Sequence, residues 1–225
     1  MEVTVANKIL IENPATNVVE WCRKNLILKN PEYYKKQRMG FWVGSTPQTL
    51  QLYEKDGNDL ILPFGCLNRL WALCNDDDRG RFRAKIGDLR GVSYGSNINT
   101  YSYQEYAVNQ AIRAKNGIIV MPCGAGKTQT ALELIARIGG KALWLTHTQD
   151  LLNQSMNRAK SVYDLPKEAY GTITGGKINI GSAITFATVQ TMSKIDLSQY
   201  RGCWDIVVVD ECHKAVGRSE ERRVG

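Results

Sequence analysis

A glycine-rich turn between an apolar run and a helical pattern constrains this chain more than any other feature. The segment "GIIVMPCGAGKTQTALELIARI" joins a run typical of a short buried strand to a stretch with apolar positions at helical spacing. Gly124 and Gly126 permit backbone angles that let consecutive N–H groups point inward and hold phosphate oxygens. The first turn of the helix adds partial positive charge. The segment therefore predicts a phosphate-binding loop in an α/β fold.

The residues after about 100 repeat this rhythm of strand and helix. Apolar strands are predicted at "KALWLT", "AITFAT" and "WDIVVVD", and helices at "YQEYAVNQAIRA" and "QDLLNQSMNRAK". Strands that are apolar throughout and alternate with helices indicate a parallel sheet covered on both faces. We expect Asp210, which ends the last strand, to lie at the same sheet edge as the phosphate loop.

These two segments together define a candidate site for Mg–ATP. Lys127 is expected to reach the β- and γ-phosphates, while Thr128 and Asp210 hold Mg²⁺. Glu211 is placed to orient and deprotonate the attacking water, so the catalytic set is Lys127, Asp210 and Glu211. The expected nucleotide contacts along the loop are Cys123, Gly124, Ala125, Gly126, Lys127, Thr128 and Gln129.

Residues 1–97 are predicted to form a separate, small α+β domain. "NPATNVVEWCRKNLIL" has helix-start residues followed by apolar positions at helical spacing, and "TLQLYEKDGNDLILPF" predicts a hairpin that turns at DGN. "NDDDRGRFR" is a predicted loop, and "GVSYGSNINT" (91–100) is the best linker candidate. In "NPEYYKKQR", Tyr33 and Tyr34 stand among cations. A solvated helix face with half-buried rings is favoured there over stacking on nucleic-acid bases.

Composition sets broader limits on the class of protein. The formal net charge of +7 favours a polyanionic partner such as nucleic acid. No apolar run approaches the roughly 20 residues that cross a membrane. The start, "MEVTVANKILIEN", does not resemble a signal peptide, so we expect no membrane association and a cytoplasmic location. The cysteines form no C-x-x-C pair and the chain has only two histidines, which argues against a zinc site.

The motifs, taken in order, resemble those of superfamily-two helicases and translocases, the DEAD/DEAH-related group. "GAGKT" and "DECH" match motifs I and II, and "ALWLTHTQDLLNQ", "TGG" (174–176) and "ITFATVQTM" are similar to motifs Ia, Ib and Ic. "MPCGAGKT" and the small leading domain look most like the XPB and UvsW branch, which is often found in phages and prophages. The resemblance covers about 101–217 well and 1–97 weakly.

The resemblance implies a RecA-like P-loop domain with a parallel sheet over 98–217. It also implies that Gln104 contacts adenine and that His213 couples the nucleotide site to a bound nucleic-acid strand, with DNA preferred over RNA. Three residues would contact the phosphates of that strand without reading its sequence. These residues are Thr148, Gly175 and Thr188.

The family's motor also contains parts that these 225 residues do not include. A second RecA-like domain, normally in the same chain, supplies arginines that stabilise the transferring phosphoryl group. The strand that bears motif III would lie between those of motifs I and II. Without it we expect the neighbouring strands either to leave backbone groups unpaired or to close together. Residues 218–225 match an in-frame translation of a common sequencing adapter. We therefore expect a non-native tail there, with the native sequence breaking off at Gly217.

Several functional hypotheses remain open at this point. The first is the N-terminal part of an ATP-dependent helicase or translocase acting on DNA, with this piece by itself inactive in hydrolysis. The second is a module that binds nucleotide and nucleic acid without turnover. Motors of restriction enzymes share the same motifs, and a P-loop ATPase acting on proteins or small molecules is a further alternative.

Overall fold

A computed structural model describes residues 1–84 and 89–212 of the chain. It divides the chain into two compact units, Met1–Ile86 and Gly87–Gly225. His213 and the tail 218–225 lie outside the described residues, so the predictions for them stay predictions. Within the described ranges, none of the helices has the length and apolar character needed to pass through a bilayer.

The first unit is an α+β arrangement built on a five-stranded sheet with the strand order β5-β6-β2-β1-β7. A separate two-stranded ladder joins β3 to β4. Its strands are β1 (Glu2–Val5), β2 (Lys8–Glu12), β3 (Ile27–Lys29), β4 (Thr49–Gln51), β5 (Glu54–Asp56), β6 (Asp59–Pro63) and β7 (Phe82–Ala84). Its α-helices are α1 (Thr16–Asn25), α2 (Pro31–Arg38), α3 (Leu67–Leu73) and α4 (Asp76–Arg79).

The turn chemistry of the first unit is largely as the sequence predicts. Asp56 pairs with Asp59 across a two-residue turn, and Gly57 takes the positive φ of +58° that this turn requires. The run preceding the hairpin pairs with β3 instead of β6. The loop prediction for "NDDDRGRFR" is wrong over α4, because the Asn75 side chain accepts a hydrogen bond from Asp78 N at 2.8 Å and caps a short helix.

The second unit is an α/β fold, which confirms the predicted fold class. Its sheet has the order β10-β9-β11-β8-β12, and all neighbouring pairs are parallel except β10 with β9. The strands are β8 (Ala142–Thr146), β9 (Tyr170–Thr174), β10 (Lys177–Asn179), β11 (Ile184–Thr188) and β12 (Ile206–Val209). The α-helices are α5 (Ser102–Ala114), α6 (Lys127–Ile138), α7 (Gln149–Val162) and α8 (Val189–Met192).

The apolar segment before the phosphate loop, 118–121, does not form the predicted strand. Val120 is 89% exposed, and β12 pairs directly with β8. β12 is the edge strand of the sheet, and no other described strand pairs with its free side. The segment 118–121 therefore lacks a neighbouring strand to pair with. The expected gap beside a motif III strand stays a prediction.

The candidate linker at 91–100 packs into the second unit. Tyr94 is buried, and its hydroxyl lies 2.8 Å from Gly140 O and 2.9 Å from Ala183 O, so its single proton is donated to this pair of carbonyls. Val92 packs on the same core, and Asn97 N donates to Val162 O at 3.0 Å. The buried, hydrogen-bonded Tyr94 holds the backbone of this segment against the second unit. The division between the compact units falls before this segment, about ten residues earlier than position 97.

Candidate functional site

The glycine turn leads directly into helix α6. Gly124 has φ of +80° and Gly126, which precedes the first helical residue, has φ of +77°. These left-handed angles are the ones that glycine adopts without strain. Lys127 is the first residue of α6, so its backbone N–H belongs to the unpaired first turn of a twelve-residue helix. The local geometry is therefore that of an anion-binding helix start.

The acidic pair lies at the carboxyl edge of the parallel sheet. Asp210 N donates to Leu145 O at 2.8 Å, which continues the β12–β8 ladder one residue beyond the strand. Burial raises the pKa of the half-buried Asp210 carboxyl, and the neighbouring charge of Glu211 acts in the same direction. Glu211 has φ of +52°, a strained angle for a non-glycine residue. Such angles are concentrated at functional sites.

The structure brings the lysine and the acids together. Lys127 Nζ lies 3.2 Å from Glu211 Oε1, and this ion pair raises the pKa of the lysine. The charge of Lys127 in turn opposes the rise of the Asp210 pKa. Residues far apart in the sequence therefore share one electrostatic site, as the order of strands predicts.

A cavity of about 680 Å³ contains this site. The volume falls within the range of about 300–1,000 Å³ that is usual for ligand pockets. The phosphate loop forms one wall through Gly124, Gly126, Lys127, Thr128 and Gln129, and Asp210 and Glu211 form another. Cys123 is an exposed free thiol near this wall.

Helix α7 supplies a third wall that the sequence analysis did not identify. Arg158 Nη2 donates to Gln129 Oε1 at 2.9 Å, and Gln129 Nε2 donates to Asn99 O at 2.9 Å. Arg158 therefore adds a second cation to a cavity that already holds Lys127. The sequence contained a sign of this wall. Arg158 lies four residues after Gln154, the last residue of the motif Ia segment, and so on the same face of the helix. The side chains that α7 contributes are Leu151, Gln154, Ser155, Asn157, Arg158 and Ser161.

Gln104 holds the phosphate loop from behind. Its Nε2 donates to Ala125 O at 3.0 Å, and its Oε1 accepts from Tyr101 N at 3.0 Å. The residue is only 2% exposed. A β-carbon at Gly126 would lie 2.5 Å from Gln104 Nε2, which gives this glycine a packing role as well. Adenine contact by Gln104 stays a prediction, while the geometry assigns its amide to the loop.

The helix that carries Gln104 is fastened to α6 by charge. Arg137 Nη1 donates to Glu105 Oε1 at 2.6 Å, and Arg137 Nε donates to Glu133 Oε1 at 2.7 Å. The guanidinium lowers the pKa of Glu105 to about 2. Arg137 therefore joins α5 to α6, and with Gln104 it fixes the loop between them.

Replacing Gln104 by Ala is expected to destabilise the second unit and to weaken nucleotide binding. The substitution leaves the part-buried Tyr101 N–H and Ala125 carbonyl without this partner, which costs about 1–3 kcal/mol. Denaturant unfolding and titration with a fluorescent ATP analogue measure the two effects. Gln110→Ala, which removes an exposed amide of the same residue type from the same helix, serves as the matched control. Equal behaviour of the two variants would contradict the role given to Gln104.

The predicted strand-phosphate contacts lie at the carboxyl edge of the same sheet. Thr148 follows β8, Gly175 follows β9 and Thr188 ends β11. Thr148 Oγ1 accepts from Leu151 N at 3.3 Å and caps α7, and Thr188 Oγ1 accepts from Thr191 N at 3.2 Å. Because β8, β9 and β11 are parallel, all three residues face one edge of the sheet. Their contact with nucleic acid stays a prediction.

Two neighbouring loops of this edge are linked by side chains. Gln190 Nε2 and His147 Nδ1 are 3.2 Å apart, which joins the residue after β8 to the first turn of α8. His147 has no role among the predictions made from the sequence. The bond connects the loops that carry Thr148 and Thr188, so these two candidate contacts are held in one arrangement.

Comparison with known proteins agrees with this architecture. The T4 phage helicase UvsW has a crystal structure that matches 96% of this chain and 86% of the compared chain, with a TM-score of 0.65 and 20% identity. At this identity the match shows the fold alone. It covers residues of both compact units.

Curated relatives are similar in sequence to about half of this chain. A protein named DNA 3'-5' translocase XPB2, from Sulfurisphaera tokodaii, is 30% identical over 118 residues, 52% of this chain and 25% of the relative. A protein named DNA 3'-5' helicase XPB, from Mycobacterium tuberculosis, is 25% identical over 118 residues, 49% of this chain and 21% of the relative. The chain thus spans about a quarter or less of the length of these curated relatives.

A protein-family match extends over more of the chain. Residues 97–224 match the family described as "Type III restriction enzyme, res subunit". The match begins just before α5 and takes in the phosphate loop and the acidic pair. Because it covers more than half of the chain, this protein belongs to that family, and its sequence resembles superfamily-two helicases of the XPB type.

Proposed function

We propose that the second unit is the ATP-binding motor domain of a nucleic-acid helicase or translocase. The observation that carries this proposal is the ion pair at 3.2 Å between Lys127 and Glu211 inside the cavity. A lysine on a glycine turn next to paired acids is the arrangement that phosphoryl transfer from a nucleotide needs. In the presence of a triphosphate, Lys127 exchanges the carboxylate for phosphate oxygens.

The oxygen donors of the cavity fit a magnesium ion. Asp210 and Thr128 supply a carboxylate and a hydroxyl, and Mg²⁺ prefers few protein ligands together with water and substrate phosphates. When bound, the ion neutralises charge on the phosphate oxygens. Glu211 is freed from Lys127 in this arrangement, and its carboxylate orients water and accepts its proton. Arg158 gives the cavity a further cation for the nucleotide.

The carboxyl edge of the sheet is the proposed track for a nucleic-acid strand, with DNA as the partner. Thr148 stands at the start of the fourteen-residue helix α7, where backbone N–H groups favour a phosphate. The names of the relatives, a DNA translocase and a DNA helicase, support DNA as the partner. Unwinding, translocation and service as the motor of a restriction enzyme all agree with the family match.

Nucleotide binding and hydrolysis by the unaltered chain test the proposal. We expect saturable, Mg-dependent binding of a fluorescent ATP analogue, and oligonucleotide binding that weakens steeply with salt because phosphate contacts release counterions. Absence of Mg-dependent nucleotide binding would contradict the proposal. Hydrolysis measured with and without DNA separates a motor from a binding module without turnover. Oligonucleotide binding that does not respond to salt would favour an ATPase acting on proteins or small molecules.

A further inference from the structure

The first unit carries an exposed aromatic loop immediately after α2. Trp42 is 88% exposed and Phe41 is 61% exposed, and neither belongs to the core of the unit. Large aromatic side chains at such exposure lose the apolar burial that would stabilise them. The loop runs from 39 to 48, between α2 and β4, and has no role in the proposed nucleotide site.

The loop is held in place although its rings face solvent. Phe41 N donates to Lys36 O at 2.9 Å, and Thr46 N donates to Val43 O at 2.9 Å. The indole of Trp42 lies across Gly44, where an added β-carbon would be 2.8 Å from the ring carbon Cζ3. Gly44 also has φ of +51°, so a side chain there would be strained and would collide with the ring. The Trp42 ring is therefore supported on one side and open on the other.

The segment that leads into this loop carries a positive formal charge. The segment 29–42 holds four cations and one acid, Glu32, so its formal charge is 4 − 1 = +3. Lys36 pairs with Glu32 at 2.6 Å and donates to Thr46 Oγ1 at 2.9 Å, so it mainly fixes the loop. Lys35 and Arg38 are exposed, and neither forms an ion pair with any residue in the described ranges. The four cations are Lys29, Lys35, Lys36 and Arg38.

The tyrosines of α2 are only partly exposed to solvent. Tyr33 and Tyr34 are half-buried with their rings edge to face, and Tyr34 Oη accepts from Gln48 Nε2 at 3.1 Å. This is the half-buried arrangement that the sequence favoured for them. The aromatic faces that remain open belong to the following loop, which the sequence analysis did not single out.

We propose that residues 35–42 bind single-stranded nucleic acid, with a base stacked on the open face of Trp42 and phosphates held by Lys35 and Arg38. An exposed aromatic face that follows exposed cations closely in the sequence is what a strand-binding site needs, because every base has a face that can stack. The charge of +3 favours a polyanion over an apolar protein partner. A duplex is a poorer occupant, because its bases are already stacked on each other.

This site is independent of the proposed motor activity. It rests on residues of the first unit alone. Oligonucleotide binding tests this site, and binding of the ATP analogue tests the proposed nucleotide site. The chain can lack a functional nucleotide site and still bind a strand here, and the converse also holds.

Fluorescence anisotropy with a labelled oligothymidine measures strand binding by the full chain. Trp42→Ala is expected to weaken binding by roughly 5- to 100-fold, since base stacking on one aromatic ring contributes about that factor. Trp42→Phe, which keeps a smaller stacking face, should retain most of the affinity. Both variants should unfold at the temperature of the unaltered chain because the ring is exposed, and both should bind the ATP analogue unchanged.

A pair of charge-matched double variants tests the cations. Lys35→Gln with Arg38→Gln should reduce the salt dependence of log K by about 1.4, the value for two phosphate contacts on a single strand. Arg23→Gln with Lys24→Gln removes the same charge from exposed positions of α1 and should leave that slope almost unchanged. Equal effects of the two double variants would overturn the proposal.

Three other results would also overturn it. They are full affinity in Trp42→Ala, equal loss of affinity for a blunt duplex, and no binding by the unaltered chain at about 50 mM salt, where electrostatic binding is strong. Unchanged strand binding together with loss of a protein contact in Trp42→Ala would assign the loop to a protein partner instead.

Discussion

Lys127→Ala is expected to weaken Mg–ATP binding by roughly 10- to 100-fold, because a hydrogen bond to a charged group contributes about 1.5–3 kcal/mol. The lysine is the cation that the loop aims into the cavity, and its present partner is the carboxylate of Glu211 at 3.2 Å. Without the Lys127 cation, the carboxylates of Asp210 and Glu211 repel an approaching triphosphate without compensation. Where hydrolysis is measured, the same substitution should abolish it.

A charge-matched control separates this local effect from a change in net charge. Lys167→Ala removes one cation from an exposed position and should leave nucleotide affinity unchanged. Lys127→Ala should leave oligonucleotide binding largely intact, because the proposed strand contacts lie on other loops. The thermal unfolding midpoint should also change little, since an ion pair that is about a third exposed adds little stability. Unaltered ATP affinity in Lys127→Ala would exclude the role assigned to this lysine.

Trp144→Ala is expected to lower the free energy of unfolding by about 3–5 kcal/mol, the usual cost of removing a large buried aromatic ring. Trp144 is 1% exposed and lies on β8, between β11 and β12. Its ring packs near Phe186, with centroids 6.3 Å apart. The cavity left by alanine would lie beside β8, the strand that pairs with β12 and bonds to Asp210 N. Chemical denaturation followed by circular dichroism measures the loss.

Two comparisons make this prediction specific. Trp144→Phe should cost much less than Trp144→Ala, because it keeps a ring and removes an indole N–H that finds no acceptor among the described residues. Trp71→Ala removes a half-exposed indole from the first unit and should also cost less. A Trp144→Ala variant as stable as the unaltered chain would contradict the placement of this side chain in the core.

Patterns that are local in the chain made the second unit predictable. The period of the apolar residues gave α6 and α7 and the strands β8, β11 and β12, since periodicity depends only on near neighbours. Gly57 and Gly126 marked turns, because their positive φ angles favour glycine wherever they occur. The position of Asp210 after an apolar strand placed it correctly at the edge of the sheet.

Sequence patterns did not predict the features that depend on residues far apart in the chain. The segment 118–121 has the composition of a strand, yet a strand also needs a hydrogen-bonded neighbour, and β12 pairs with β8 instead. The polar composition of 91–100 predicted a linker, while the fold buries Tyr94 of that segment. Arg158 and Trp42 gained their importance from a helix face and a loop whose positions the sequence does not state.

The sequence by itself determined the glycine turn, the order of strands and helices and the chemistry of Lys127, Asp210 and Glu211, because these follow from residue type and short-range spacing. Only the tertiary structure decided that Lys127 meets Glu211, that α7 forms a wall of the cavity and that the Trp42 ring stays open to solvent. The reason is that pairing and burial depend on which distant residues lie nearby in space, whereas local propensity depends only on residues close in sequence.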